Sequence, residues 1–414
     1  MSPRIVCLIG VVAYIAMAWA ISVDRRRFPW RVVIGALLLQ STLALLILKT
    51  TAGQVVMQAL GAMFVATLGC VQAGSGFVFG GPPNQMEFNG NLLNIFAFNV
   101  LPTIVFFSSL MAILYHFGVM QKLVAALAFV MRRSLGTSGT ETLAAAANVF
   151  VGQTEAPLVV RPYLAKMTQS ELMALMTGGF ATVAGGVLAL YVQMGIDVQH
   201  LMTASLISAP AALLFAKVIV PESQDAVESD RLPVDASATK TNAIGAAVEG
   251  ASEGVKLAIN IAAMLIAFMA LIALVDLILA TFCGYVGWVD QANRPVLTLT
   301  VILSYVFWPL AWFLGVPSSE CFEAAGLIGI KTVANEFIAF ERLGNSETLS
   351  PRSVTVLTYA LAGFSNLASI GIMVGGVGAL EPSRRDDLAK FAFRAMIGGL
   401  LACCLTGALV GVLI

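Results

Sequence analysis

Apolar runs of about twenty residues recur from one end of this chain to the other, and each is long enough to cross a hydrocarbon core of about 30 Å as a helix. Alternating ten-residue segments of the kind that build membrane barrels are missing from the sequence, so the runs read as helices. Of the 414 residues, 59% are hydrophobic and 11% charged. Soluble proteins carry about 25% charged residues, and a soluble globule is therefore excluded. The 23 basic and 23 acidic side chains cancel, and no long basic tract is present, which removes nucleic acid as a partner class. The fold expected is an all-α polytopic membrane protein.

Ile5–Ile21 is too long for a signal-peptide core and is followed by Arg25, Arg26, Arg27 and Arg31 instead of a small-residue cleavage site, so it reads as a retained first span. The positive-inside tendency puts that basic cluster in the cytoplasm and sends a second span, Val32–Leu48, back out. Gln54–Phe79 is softened by Gln54, Gln58 and Gln72 and is expected along the membrane interface. After the Gly80-Gly81-Pro82-Pro83 turn, Leu92–Tyr115 forms a third span that returns toward Arg132 and Arg133. Further spans are expected at Leu201–Val220 and Val255–Phe282, separated by a polar cytoplasmic loop, Asp225–Thr241. Lys217, Arg231, Lys240, Arg384, Arg385 and Lys390 all agree with one orientation, which leaves both termini outside. Val296–Val316 is apolar, but a crossing there would break that agreement, so it is placed in the interface.

Two stretches do not behave as spans. Thr137–Lys166 and Pro317–Arg342 each hold two short apolar pieces around a polar centre, Gly152-Gln153-Thr154-Glu155-Ala156-Pro157 in one and Asn335-Glu336 in the other. Non-helical backbone at membrane depth is tolerated only where protein buries it or a wet cavity adjoins it, so each reads as a re-entrant hairpin. Pro157 supports a break in the first. The stretches also resemble each other. Ser134–Glu141 can be laid over Phe313–Glu320, and Gly179-Phe180-Ala181-Thr182 over Gly363-Phe364-Ser365-Asn366. Each unit has the order amphipathic helix, hairpin, interrupted span, final span, and the crossings between the units invert the second. Inverted repeats with broken helices are the architecture of secondary transporters. The whole is then about eight transmembrane helices, two hairpins in an inverted repeat, and interfacial helices.

Carboxylates inside a membrane segment are expensive and mark function by default. Glu155 and Glu336 can tie hairpins together or accept hydrogen bonds from a solute in a polar cavity. Gln153 and Thr154 add neutral donors and acceptors beside Glu155, while Asn366 and Ser369 do so beside Glu336, with Phe364 offering either packing or an apolar face to a ligand. Arginine is missing from both tips, which argues against phosphate or dicarboxylate substrates. A sugar joined to a planar base would use both halves. Asn148, Thr154 and Thr182, with carbonyls freed at the helix breaks, could form an all-oxygen shell for a monovalent cation, although such residues also simply bond across to neighbouring helices. Asp276 reads as an interfacial or oligomer contact, and Glu141, Glu320 and Glu323 as helix-end residues. The six cysteines, which form no metal-type spacing, read as small buried hydrophobes. An intramembrane enzyme using the two glutamates as acid and base would lack a nucleophile, a metal set and a phosphate cradle, so no enzyme is expected.

Gly139-Thr140-Glu141-Thr142-Leu143, Asn148–Pro157, Arg161-Pro162-Tyr163, Met176–Gly185 and Asn335-Glu336-Phe337 closely resemble the concentrative nucleoside transporters, in their bacterial, eight-span, sodium-coupled form. The likeness covers nearly the whole chain after about residue 90, and the GQTEAP and GGFATVAG blocks are the most specific part of it. The resemblance implies a symporter importing nucleosides such as uridine down a sodium gradient by an elevator motion, as a homotrimer in a bacterial inner membrane. It implies that Gln153, Thr154, Glu155 and Val187 hold the nucleobase and that Glu336, Phe364, Asn366 and Ser369 hold the ribose. It places sodium on Asn148, Val151, Thr154, Thr182 and Val183. A proton-coupled nucleoside symporter is the alternative. The division expected is a scaffold part with an interfacial helix at 1–133, a first repeat at 134–220, a loop with a long scaffold span and interfacial helix at 221–316, and a second repeat at 317–414. Hairpins and interrupted helices form the transport domain.

Overall fold

The computed structural model describes residues 1–79, 96–99, 101–153, 155–223, 242–290 and 295–414. Thr154, the Gly80–Pro83 turn, the start of the span expected from Leu92, and Asp225–Thr241 with Arg231 and Lys240 lie outside the described residues. Everything that follows is helix and connection, apart from an isolated bridge between Val289 and Pro295.

The chain opens with α1 (Pro3–Ala20), α2 (Trp30–Lys49) and α3 (Thr51–Phe79). The last is a single 29-residue helix with a mostly exposed surface, long and apolar enough to cross a membrane, which the interfacial expectation for this segment did not anticipate. A short α4 (Phe96–Asn99) precedes α5 (Leu101–His116), and α6 (Val119–Leu135) leaves α5 at an angle of 78°.

Two equivalent units follow. The first is α7 (Gly139–Val151) with α8 (Ala156–Val159), then α9 (Gln169–Ala181) with α10 (Gly185–Gln193), then α11 (Val198–Ile219). Between the units run α12 (Ala243–Val286) and α13 (Leu299–Phe313). The second unit is α14 (Cys321–Val333) with α15 (Glu336–Gly344), α16 (Pro351–Leu361) with α17 (Leu367–Leu380), and α18 (Arg385–Leu413). At 44 residues α12 is about 66 Å long, roughly twice a bilayer core, whereas the 15 residues of α13 reach only about 22 Å and fall short of one. That length agrees with the interfacial placement expected for Val296–Val316. Asp276 caps it: the carboxylate accepts the Leu299 N–H at 2.6 Å and ties the start of α13 to α12.

Local sequence sets where the hairpins start and stop. Ser138 and Glu141 make a reciprocal capping box at the start of α7, and Thr168 with Glu171 does the same for α9. Gly152 ends α7 at φ 81°, and a Cβ there would stand 2.6 Å from the Cβ of Ala184, so the hairpin tip lies directly against the break between α9 and α10. At the open end of this hairpin, Lys217 on α11 pairs with Glu141 at 2.6 Å and Glu222 at 3.0 Å, the Glu141 contact being almost wholly buried. Glu141 is thus an ion-pair partner as well as a helix-end residue.

The two units are inverted. The N–H of Val23, next to the Arg25–Arg27 cluster, donates to the Ile219 carbonyl at 2.9 Å, and the Arg384 guanidinium donates to Ala165 and Met167 at 3.1 and 2.6 Å. Those groups share one end of the molecule with the open end of the first hairpin. At the opposite end Arg4 donates to the Ile414 carbonyl at 3.0 Å, joining the two termini, and Arg352 donates to Gly315 and Gly411 at 2.9 and 2.6 Å beside the open end of the second hairpin. The tips therefore approach the middle from opposite sides. There α11 and α18 cross, with the Ser208 and Thr406 hydroxyls 3.3 Å apart and Gln40 of α2 donating to Thr406 at 2.8 Å. Five of the six cysteines are buried, and Cys70 on α3 departs from the expectation by being exposed.

Candidate functional site

Two helix breaks and two hairpin tips converge at midheight. Polypeptide that stops being helical leaves its last carbonyls and next amides without intrahelical partners, so such a place is polar by construction. In the second unit Asn335 caps α15 through the Ile338 N–H at 3.1 Å, and Asn366 caps α17 through the Ser369 N–H at 2.8 Å. Asn366 is divided between two tasks. Its amide nitrogen donates to Glu336 Oε2 at 2.9 Å, while Glu336 Oε1 accepts the Tyr191 hydroxyl at 3.1 Å. Glu336 is 1% exposed and is held from both units at once.

The first hairpin reaches the same cluster. Gln153 Nε2 donates to the Ser369 hydroxyl at 3.2 Å, although the two residues are 216 positions apart, and the amide oxygen of Gln153 is buried without a hydrogen bond among the described residues. Tyr191, Glu336, Asn366, Ser369 and Gln153 thus form one polar chain. The glycines of the GGFATVAG block make that approach possible: a Cβ on Gly179 would stand 2.7 Å from the Cβ of Gln153, and one on Gly178 would stand 2.8 Å from Nδ2 of Asn148. Val187 is buried in the first turn of α10, and Phe364 packs into the main core with 9% of its surface exposed. Glu155 is exposed, within electrostatic reach of Tyr115 on α5 and Glu253 on α12. It does not join the Glu336 chain among the described residues. Thr154 lies outside the described residues.

The residues expected around a cation sit beside this cluster. Asn148, in the last turn of α7, is fully buried; its nitrogen donates to Leu175 at 3.4 Å, and its Oδ1 has no hydrogen bond among the described residues. Val151 ends the same helix, and Thr182 ends α9 in extended backbone while its hydroxyl donates back to Gly178 at 2.9 Å. Ser205 of α11 binds both sides, donating to Val149 at 2.9 Å and to Val183 at 3.4 Å. An orphaned buried amide oxygen on an element packed beside a helix break with neutral hydroxyls and carbonyls is a donor set that suits a monovalent hard cation, so the residues present fit such an ion.

Three contributors escaped the sequence reading: Tyr191, Ser205 and Lys331, whose ammonium donates to the Ala360 carbonyl beside the second helix break at 2.9 Å. Tyr191 follows Val187 by one helical turn on the same face, and that spacing was its signal. Ser205 carried none beyond its place on an apolar helix. Lys331, a cation inside the apolar second hairpin, did carry one, since an intramembrane charge is a functional candidate by default.

Residues 200–411 match the family model described as Na+ dependent nucleoside transporter C-terminus, residues 9–82 match its N-terminal counterpart, and residues 97–197 match the model described as nucleoside recognition. An uncharacterized transporter of Haemophilus influenzae is 41% identical over 98% of this chain and 97% of its own length. The rat sodium/nucleoside cotransporter 1 is 38% identical over 99% of this chain, which spans 64% of that longer relative. Among solved structures, CNTnw in an inward-facing substrate-bound state superposes with a TM-score of 0.91 at 41% identity, covering 99% of this chain and 97% of that one. A variant of CNTnw in an outward-facing state gives a TM-score of 0.90 at 40% identity, with the same coverage.

Proposed function

The chain belongs to the sodium-dependent, concentrative nucleoside transporter family, and from that premise we propose that it imports nucleosides such as uridine into the cell down a sodium gradient. It is a helical membrane protein of a transporter family and not an enzyme. The observation that carries the reading is the chain of contacts from Tyr191 through Glu336, Asn366 and Ser369 to Gln153, which joins both hairpins around one polar centre.

In this proposal the hydroxyl pair of a ribose donates to Glu336 and bonds to Asn366 and Ser369 beside Phe364. The base lies against Val187, and its mixed donor and acceptor edge meets Gln153, Thr154 and Glu155. Gln153 already turns its amide nitrogen to Ser369 and keeps its amide oxygen unpaired among the described residues, which leaves an acceptor free for the base. Sodium, as cargo, is held by Asn148, Val151, Thr154, Thr182 and Val183, and the orphaned Oδ1 of Asn148 supports that placement. The ion and the nucleoside then share the tip of the first hairpin.

The hairpins and interrupted helices of 134–220 and 317–414 act as the moving transport domain. They move elevator-fashion against a scaffold made from 1–133 and 221–316, three copies of which form a homotrimer. The chain superposes about equally well on CNTnw in an inward-facing state and on a CNTnw variant in an outward-facing state, which supports alternating access here. The shared end of the Arg25–Arg27 cluster, Lys217 and Arg384 is assigned to the cytoplasm of a bacterial inner membrane, and the joined termini to the outside.

Radiolabelled uridine uptake into proteoliposomes tests the reading. Accumulation above the external concentration with an inward sodium gradient, and its loss when choline replaces sodium at the same pH, is the expected outcome. Accumulation driven equally by a proton gradient without sodium would replace the ion in this mechanism by a proton, and absence of uridine transport under either gradient would overturn the substrate assignment.

A further inference from the structure

We infer that Lys331 is a built-in cation that occupies, in the second unit, the place the first unit leaves for a mobile one, so that a transport cycle uses a single coupling sodium. The inference rests on the sodium-coupled reading of the first unit. Lys331 is fully buried in the last turn of α14, as Asn148 is fully buried in the last turn of α7. Each lies just before its hairpin's tip and against the end of the first half of its unit's interrupted helix.

Matching contacts on the crossing helices establish the correspondence. Ser208 on α11 meets Thr406 on α18 at 3.3 Å, and three residues before each stands a side chain that binds the helix breaks. Ser205 donates to Val183 in the first break at 3.4 Å, and Cys403 donates to Ala362 in the second at 3.3 Å. The two breaks are thus equivalent places in the inverted repeat.

Their electrostatics differ. A helix C-terminus leaves carbonyls unsatisfied and carries partial negative charge, which a cation relieves. At the second break the Lys331 ammonium donates to the Ala360 carbonyl in the last turn of α16 at 2.9 Å and acts electrostatically on Cys403 and Glu336. At the first break the corresponding neighbours, Asn148, Thr182 and Ser205, are all neutral, and Asn148 Oδ1 stays unpaired among the described residues. One unit carries its positive charge covalently. The other takes it from solution, and only the second arrangement can be coupled to a gradient. Lys331 is therefore a positioning residue, fixing the α16 side of the break whose other side, at the start of α17, carries Asn366 and Ser369, and supplying charge beside Glu336.

The test compares wild type, Lys331→Gln and Lys331→Arg in proteoliposomes at clamped potential, reading the ratio of labelled sodium to labelled uridine entering together. Wild type and Lys331→Arg are expected to move one sodium per uridine. Lys331→Gln, with a neutral oxygen in place of the ammonium, is expected to move two and to turn the sodium dependence of uptake from hyperbolic to sigmoidal. A wild-type ratio of two overturns the inference, as does a Lys331→Gln protein that transports at a ratio of one with unchanged sodium dependence. If Lys331→Gln fails to fold, the wild-type and Lys331→Arg ratios still decide. If the wild type moves no uridine, the functional reading fails separately. The dependence of melting temperature on sodium concentration for the purified wild type then decides: stabilisation by one bound ion keeps the inference, and by two, or by none, ends it.

Discussion

Glu336 is gripped by one donor from each unit, the Tyr191 hydroxyl at 3.1 Å and the Asn366 amide at 2.9 Å, so its two oxygens are aimed before any ligand arrives. Removing only the Tyr191 hydroxyl deletes one such bond without leaving an unpaired donor behind. Net hydrogen-bond contributions of about 0.5–1.5 kcal/mol translate into roughly 2- to 10-fold in affinity. Tyr191→Phe is accordingly expected to raise the KM for uridine by about that factor while the sodium dependence stays as in the wild type. Asn148→Ala should do the reverse: it deletes the orphaned Oδ1, and half-maximal activation should need at least about tenfold more sodium, measured by uptake at fixed uridine. Gln153 and Glu336, which the structure brings into one polar chain, were legible in the sequence because a polar group in an apolar run is expensive, whereas Glu155, read by the same signal, lies outside that chain. Tyr191 and Ser205 were not legible, since an aromatic or a hydroxyl on an apolar helix reads the same whether it packs, bonds a neighbour or orients a carboxylate. Asn366 was legible as polar, but its second task, capping α17, shows only in three dimensions.

At the level of elements, the hairpins were readable from composition: glycine, proline and asparagine punctuate Thr137–Lys166 and Pro317–Arg342, and helices break at those places. Their mutual approach was not readable, because it depends on which glycine faces which neighbour. A methyl group on Gly179 would lie 2.5 Å from Met373 Cε and 2.7 Å from Gln153 Cβ; the methionine end can move, but the Gln153 Cβ is anchored to backbone. Gly179→Ala is therefore expected to displace the first hairpin tip and cut uridine uptake more than tenfold while leaving the sodium-independent elution profile of the purified protein intact; unimpaired uptake would show that the tip has slack there. At the open end of the same hairpin, Lys217 holds Glu141 in an almost fully buried ion pair. Such a pair need not add much stability, but removing one partner strands the other charge, at a cost of about 3–5 kcal/mol. Lys217→Ala should thus lower the melting temperature markedly, and Lys217→Ala combined with Glu141→Gln should recover much of that loss.

For the whole molecule, the decisive feature is that ion and nucleoside candidates are two ends of one short segment. Asn148 closes α7, Gly152 turns the chain against Ala184, and Gln153 follows at once to meet Ser369. In the proposed mechanism, whichever ligand binds first orders that segment, and the second then finds its partners already placed. Equilibrium linkage makes the effect reciprocal: sodium must tighten nucleoside binding by the same factor by which nucleoside tightens sodium binding, and coupling of this kind runs at about 5- to 150-fold. Two titrations of the purified protein check it, uridine binding with and without saturating sodium, and sodium binding with and without saturating uridine. Equal factors within that range are expected. Asn148→Ala should collapse both factors toward unity together, because the segment loses its ion-dependent order, whereas Tyr191→Phe should weaken uridine binding and leave the factor nearly as it was, since Glu336 belongs to the other hairpin. A wild type that binds uridine equally well with sodium or choline would mean that the two ligands do not share the hairpin, and the coupling would have to be sought in the movement of the transport domain itself.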